Sequence, residues 1–198
     1  MTATAPLVVG LWLDGTPSRW EPLAAVALGD AGRTRMLLDE QAAADLLVVG
    51  EHPTTAAVAP EVLARLQDFT LAHVEDADLV VLGGYRGPDS VKNPYLHGEL
   101  HGVVRLALHQ AGIPAAVVRP AMLFRYAGGS AYDQHKARAA ADEAFGAGGC
   151  RDAEAWSLWL RAMGLDHLGA PVVGRTGRQR GALREVDWPA AALEGGGR

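Results

Sequence analysis

Four sets of residues in this sequence have types and spacings that could do chemistry. His97-Gly98-Glu99-Leu100-His101 carries two imidazoles four apart, which on a helix turn to one side and can chelate zinc. No third ligand lies close in sequence and the glutamate stands at the wrong place for a metalloprotease, so a solvated or capping pair is expected. Asp14, Asp152 and Glu154 are carboxylates that could hold a hard cation. Asp14 sits in an Asp-Gly turn signal, and Asp152 and Glu154 would point about 200° apart on a helix, too far to share one ion. Asp152 is better read as an N-terminal cap or a partner for the helix dipole. Cys150 follows two glycines and precedes Arg151, where charge and a helix start could stabilise a thiolate; an unreactive loop thiol is the expectation. Lys136 and the series Arg175, Arg178, Arg180 and Arg184 could meet phosphates, or serve as solvated charge. Ser130 lacks the pattern of a nucleophile elbow, and Gly83-Gly84 is too short for a phosphate loop.

The bulk numbers narrow the classes. A chain of 198 residues with 49% apolar content can bury one substantial core. One cysteine excludes an intramolecular disulfide and a thiolate metal cluster within a single chain. No apolar run reaches the roughly 18 residues needed to span a bilayer, and the first residues lack the basic start and apolar centre of a signal peptide, so a cytoplasmic protein without membrane contact is expected. A net charge of −5 argues against a uniformly basic nucleic-acid binder. The distribution is uneven: residues 174–198 carry five arginines against three acids.

The elements that must position these residues are arranged around Ala77-Asp78-Leu79-Val80-Val81-Leu82-Gly83-Gly84, an apolar run ending in two glycines that reads as a buried central strand. Before it lie a strand at 7–13, a strand at 23–28, a turn at 29–32, a strand at 35–38, a segment at 40–49 read as a helix ending before Gly50, and an amphipathic helix from Pro60 to Val74. After it come a helix at 93–110, a strand at 114–118, a short helical turn at 120–126, a mobile loop at 128–130, a helix at 136–145 and a helix at 153–163. Residues 169–198 read as a loose Gly- and Arg-containing tail with a docking clip at Val186-Asp187-Trp188-Pro189. One domain plus a tail follows: 1–168 folded and 169–198 appended. The order of elements is that of an α/β, RNase H-like fold, a mixed sheet with antiparallel N-terminal strands and helices on both faces.

Several stretches in the same order, Val9-Gly10-Leu11, Asp78 to Leu82, His97 to Arg105, Ala111-Gly112-Ile113-Pro114, Pro120-Ala121-Met122-Leu123, Leu158 to Gly164 and Gly181 to Pro189, resemble the RuvC-like Holliday junction resolvases of actinobacteria and their phages. The resemblance covers about residues 7–29 and 76–189. It implies two divalent ions held by four carboxylates: one on the first strand, one at the end of the central strand and two on the last helix. The matching positions here hold Trp12, Gly83, Ala153 and Trp156. None of these side chains can ligate a hard cation. The resemblance therefore implies a catalytically degenerate, pseudo-nuclease protein without cofactor, serving as a binding or assembly module, with Lys136, Arg175, Arg178 and Arg180 as nucleic-acid contacts. Its partners would be branched DNA, another protein or a second copy of the chain. The competing expectation is a Mg²⁺-dependent resolvase with its carboxylates relocated to Asp14, Asp152 and Glu154, with Glu99 as a further candidate. If the site is degenerate, Trp12 and Trp156 should meet over Gly83 and fill it.

Overall fold

A five-stranded sheet in the order β3-β2-β1-β4-β5 forms the middle of the molecule. The structure, a computed structural model, describes residues 6–13, 24–27, 34–36, 60–84, 94–146 and 152–190. The strands are β1 (Val8–Leu13), β2 (Ala24–Ala27), β3 (Thr34–Met36), β4 (Leu79–Gly83) and β5 (Ala115–Val118). β1, β4 and β5 run parallel, while β2 pairs antiparallel with β1 and β3 antiparallel with β2. The helices are α1 (Pro60–Val74), α2 (Pro94–Gln110), α3 (Pro120–Gly128), α4 (Gln134–Phe145), α5 (Asp152–His167) and the single turn α6 (Gly177–Arg180), which runs into a 3-10 turn at Gly181–Glu185.

Both faces of the sheet are covered, which is why β1 and β4 are apolar at every position and buried throughout. The pleat sorts them. Val9, Leu11, Leu13, Val80 and Leu82 pack with Leu66 and Val74 of α1 and with Leu100, Val104 and Leu108 of α2. Val8, Trp12, Leu79, Val81, Ala116 and Val118 pack with α3, α4 and α5.

The second face is set by two glycines. A Cβ on Gly10 would lie 2.0 Å from the Ser157 carbonyl oxygen and 2.6 Å from the Arg161 nitrogen, so β1 and α5 meet backbone to backbone there. One turn on, a Cβ on Gly164 would lie 2.6 Å from Val8 Cγ1 and 2.7 Å from Val81 Cγ2. α5 consequently lies flat along β1, antiparallel to it.

Several boundaries differ from the sequence expectation. The short turn at 120–126 is a nine-residue helix ended by Gly129 at φ 78°, and α5 runs to His167 rather than stopping at Met163. α4 starts two residues early because the Asp133 side chain caps it by accepting from the Lys136 backbone N–H. The proposed helix at 40–49 lies outside the described residues.

The last segment is not a loose tail. Thr176 and Gln179 form a reciprocal capping box around α6. Ala182 and Val186 are buried against the core. Trp188 stacks on His167 with ring centroids 4.3 Å apart and donates its indole N–H to the Leu183 carbonyl. Residues through Pro189 are thus part of the domain, and the boundary at 168 falls inside one packed unit.

His97 and His101 also depart from expectation. They are buried, at 7% and 8% exposure, at the N-terminal end of the stripe that continues as Val104 and Leu108. Burial, and then the charges of His97 and Arg105, hold His101 down at about 4.

Two predictions follow from this packing. Gly10→Ala, which drives a methyl into backbone on both sides, should cost about 3 kcal/mol or more in chemical denaturation, whereas Gly98→Ala, at an exposed helical position with open space, should add about 0.5–1 kcal/mol. His101 binds its proton more weakly folded than unfolded, so its contribution is complete above pH 6.5 and is lost as pH falls toward about 4. The loss should be on the order of 3 kcal/mol. Unfolding midpoints of wild type and His101→Gln measured across that range should diverge as the pH rises, and parallel curves would refute the assignment.

Candidate functional site

The C-terminal ends of β1 and β4 are adjacent in the parallel part of the sheet, the place where open α/β sheets build their sites. Trp12 points from β1 to the α5 side, and Gly83 ends β4 on the same face. A Cβ on Gly83 would lie 2.3 Å from Trp12 Cε3 and 2.9 Å from Cζ3, so the indole occupies the volume that any side chain at 83 would need. Trp156, in the second turn of α5, tilts onto Trp12 with centroids 6.4 Å apart and planes at 58°. Phe124 of α3 closes the group edge-on to Trp156 at 5.0 Å. Trp12, Trp156 and Phe124 are at most 8% exposed, and Ala153 is buried beside them in the first turn of α5. β1, β4 and α5 therefore bring Trp12, Gly83, Ala153 and Trp156 to one end of the sheet, and with Phe124 of α3 fill it with ring carbon.

A divalent ion does not fit these residues. Their side chains offer no oxygen, and the space beside the glycine that would admit one is occupied by an indole. Of the alternative carboxylates, Asp152 is exposed and its Oδ1 lies 3.3 Å from Arg138 Nε, a surface pair at the start of α5 consistent with a role toward the helix dipole. Glu154, two residues on, is half-buried on another side of the helix, and Glu99 lies on α2 across the sheet. Asp14 and Cys150 lie outside the described residues. Among the described residues no three His, Cys, Asp or Glu side chains come together as a metal set.

The basic residues divide into two kinds. Arg175 and Arg180, two of the expected phosphate contacts, have partners within the molecule, Arg180 through a side chain that stays 48% exposed. The Arg175 guanidinium lies 4.1 Å from the centre of the Trp159 ring and 5.8 Å from that of Tyr126, and donates to the Ala127 carbonyl at 3.0 Å. Burial lowers its pKa. Arg180 clasps Asp166, whose carboxylate is 1% exposed, through Nε and Nη2. Tyr126 donates its hydroxyl to the same carboxylate at 3.0 Å, and burial together with that negative charge pushes the phenol up. The other kind faces water. Lys136 has a 70% exposed side chain in a loose pair with Asp133 at 3.5 Å, and Arg178 and Arg184 are exposed.

What sequence reasoning missed was the clasp. Asp166 sits three residues before the expected tail with an apolar helix behind it, and its burial depends on an arginine 14 positions later. The one usable signal was Thr-Gly-Arg-Gln at 176–179, a capping pattern that marks an ordered turn in a stretch otherwise rich in glycine.

The aromatic cluster generates a prediction. Trp156→Ala should destabilise by roughly 3–5 kcal/mol, and Gly83→Glu should also lower the melting temperature, because its carboxylate enters ring carbon without a partner. An unchanged melting temperature for Gly83→Glu, measured by circular dichroism, would contradict this packing.

No protein-family model matches this sequence, and no curated protein does. Among solved structures the chain is similar to T. thermophilus RuvC in complex with a Holliday junction substrate, with a TM-score of 0.55 and 15% identity over 83% of this chain and 97% of that one. A second Thermus thermophilus RuvC structure aligns with a TM-score of 0.52 at the same identity and coverage. At such identity the likeness is one of architecture, and the architecture of this chain is the RuvC-like α/β fold.

Proposed function

We propose that this protein is a RuvC-fold module that binds branched DNA and does not hydrolyse it. The observation that carries the reading is the packing of Trp12 and Trp156 over Gly83, at the end of the sheet where the resemblance implies metal-binding carboxylates. Two-metal phosphodiester hydrolysis needs ions that activate water and stabilise the leaving oxygen. Here the corresponding volume is apolar and closed, so the chain keeps a shape suited to a junction without the means to cut it. The choice of branched DNA as partner draws on the similarity to a RuvC seen with a Holliday junction substrate.

On this reading the affinity comes from exposed cations and not from the tail as a whole. Lys136, Arg178 and Arg184 are free to meet phosphates, whereas Arg175 and Arg180 hold the last segment in place. With a net charge of −5 the attraction is local and is screened readily by salt. Pure protein should bind a synthetic four-way junction with an affinity that falls with salt, and should release no nicked product with Mg²⁺ or Mn²⁺ under conditions where an active resolvase resolves it fully. Metal-dependent cutting lost in Asp14→Ala or Asp152→Ala would establish the relocated-carboxylate nuclease instead. Absence of any junction binding at low salt would favour a protein partner.

A further inference from the structure

The C-terminal end of α3 is gripped from two directions. On one side a Cβ on Gly128 would lie 2.8 Å from the Ala137 nitrogen and 3.1 Å from Lys136 Cβ, so the first turn of α4 is pressed against it. On the other, Arg175 Nη1 and Gln179 Nε2 both donate to the Ala127 carbonyl, at 3.0 and 3.2 Å, which fixes α6 and with it Arg178. Lys136 and Arg178, from segments more than 40 residues apart, are thereby tied to adjacent residues of one helix end. The loop that joins α3 to α4 leaves through Gly129 at φ 78° and is fastened at its far end by the Asp133 cap. From this braced loop Tyr132 projects with 94% exposure, and His135 beside it is exposed as well. The nearby acids are Asp133, engaged by the cap and by Lys136, and Glu143, whose charge acts on Arg175.

An aromatic ring held in water on a short loop with both ends fixed, with Lys136 four residues on and Arg178 on the turn bound to the same helix end, matches what an unpaired nucleotide offers: a flat π-face to stack on, with phosphates on either side. We infer that Tyr132, Lys136 and Arg178 form a docking corner for single-stranded nucleic acid, in which Tyr132 stacks on an unpaired base and the two cations take the flanking phosphates. The inference rests on the reading of this protein as a nucleic-acid-binding module, and adds that it recognises unpaired nucleotides and where. A duplex hides its base faces, so only the cations of this corner would meet it.

The test is fluorescence anisotropy with labelled oligo-dT, a duplex of equal length and a four-way junction. Tyr132→Ala should weaken oligo-dT binding roughly tenfold or more and leave duplex binding unchanged, while Tyr132→Trp should restore oligo-dT binding. Lys136→Ala with Arg178→Ala should weaken both ligands and flatten the salt dependence for oligo-dT by about 1.4 in log–log slope. All three positions are surface sites, so melting temperatures should stay at the wild-type value, which separates lost binding from lost fold. Oligo-dT affinity unchanged in Tyr132→Ala, or restored equally by Tyr132→Leu and Tyr132→Trp, would overturn the stacking role. Wild-type protein that binds the junction and not oligo-dT would overturn this corner alone, and protein that binds none of the ligands would overturn the module reading too.

Discussion

Everything on one side of the sheet depends on how closely α5 can approach β1. Contact of backbone with backbone requires a residue without a side chain on the strand, and Gly10 provides it under Ser157 and Arg161. Once the helix is seated there, its register is no longer adjustable. Gly164 falls over Val8 and Val81, while Trp156 falls next to Trp12 at the other end of the strand. Trp12 then takes the volume above Gly83. A larger residue at any of these glycines would lift the helix or displace an indole, so the glycines and the tryptophans act as one coupled set. The aromatic closure of the sheet end is in this sense a consequence of helix seating, with Phe124 completing it from α3.

The far end of α5 shows a second constraint, this one electrostatic. Asp166 is carried into the interior by the same helix and would be costly there without a counter-charge. Arg180 supplies it, and the capping box at Thr176 holds the turn that presents Arg180. Arg175 adds its guanidinium to the Trp159 face within the same segment. Two of the arginines that make the C-terminal segment look basic, Arg175 and Arg180, help to hold it down. What remains for an anionic partner is a small group of exposed cations at the junction of α3, α4 and α6.

The sequence carried the main architecture because the evidence for it is local or periodic. Uninterrupted apolar runs marked β1 and β4 as strands covered on both faces, and the three- and four-residue spacing of Leu100, Val104 and Leu108 marked α2. The meeting of Trp12 and Trp156 over Gly83 was also legible, since it followed from matching three separate segments to one familiar order. The fate of the arginines was not. That Arg180 reaches Asp166 depends on a contact across 14 residues, and composition alone makes such a segment look loose. The histidine pair was misread for a related reason. Spacing shows which residues share a helix face, but Val104 and Leu108 were needed to show that this face is the buried one.

The central claim is that ring packing stands where a divalent-metal site would be, and the most direct measurement is thermal denaturation with and without millimolar Mg²⁺ of two proteins. One is wild type; the other carries Trp12→Asp, Gly83→Glu, Ala153→Asp and Trp156→Asp together. Wild type should melt at one temperature regardless of Mg²⁺, and the variant, destabilised without metal by four clustered carboxylates, should regain stability as Mg²⁺ is added. Wild-type protein whose melting temperature rises with Mg²⁺, accompanied by saturable heat in calorimetric titration, would contradict the account.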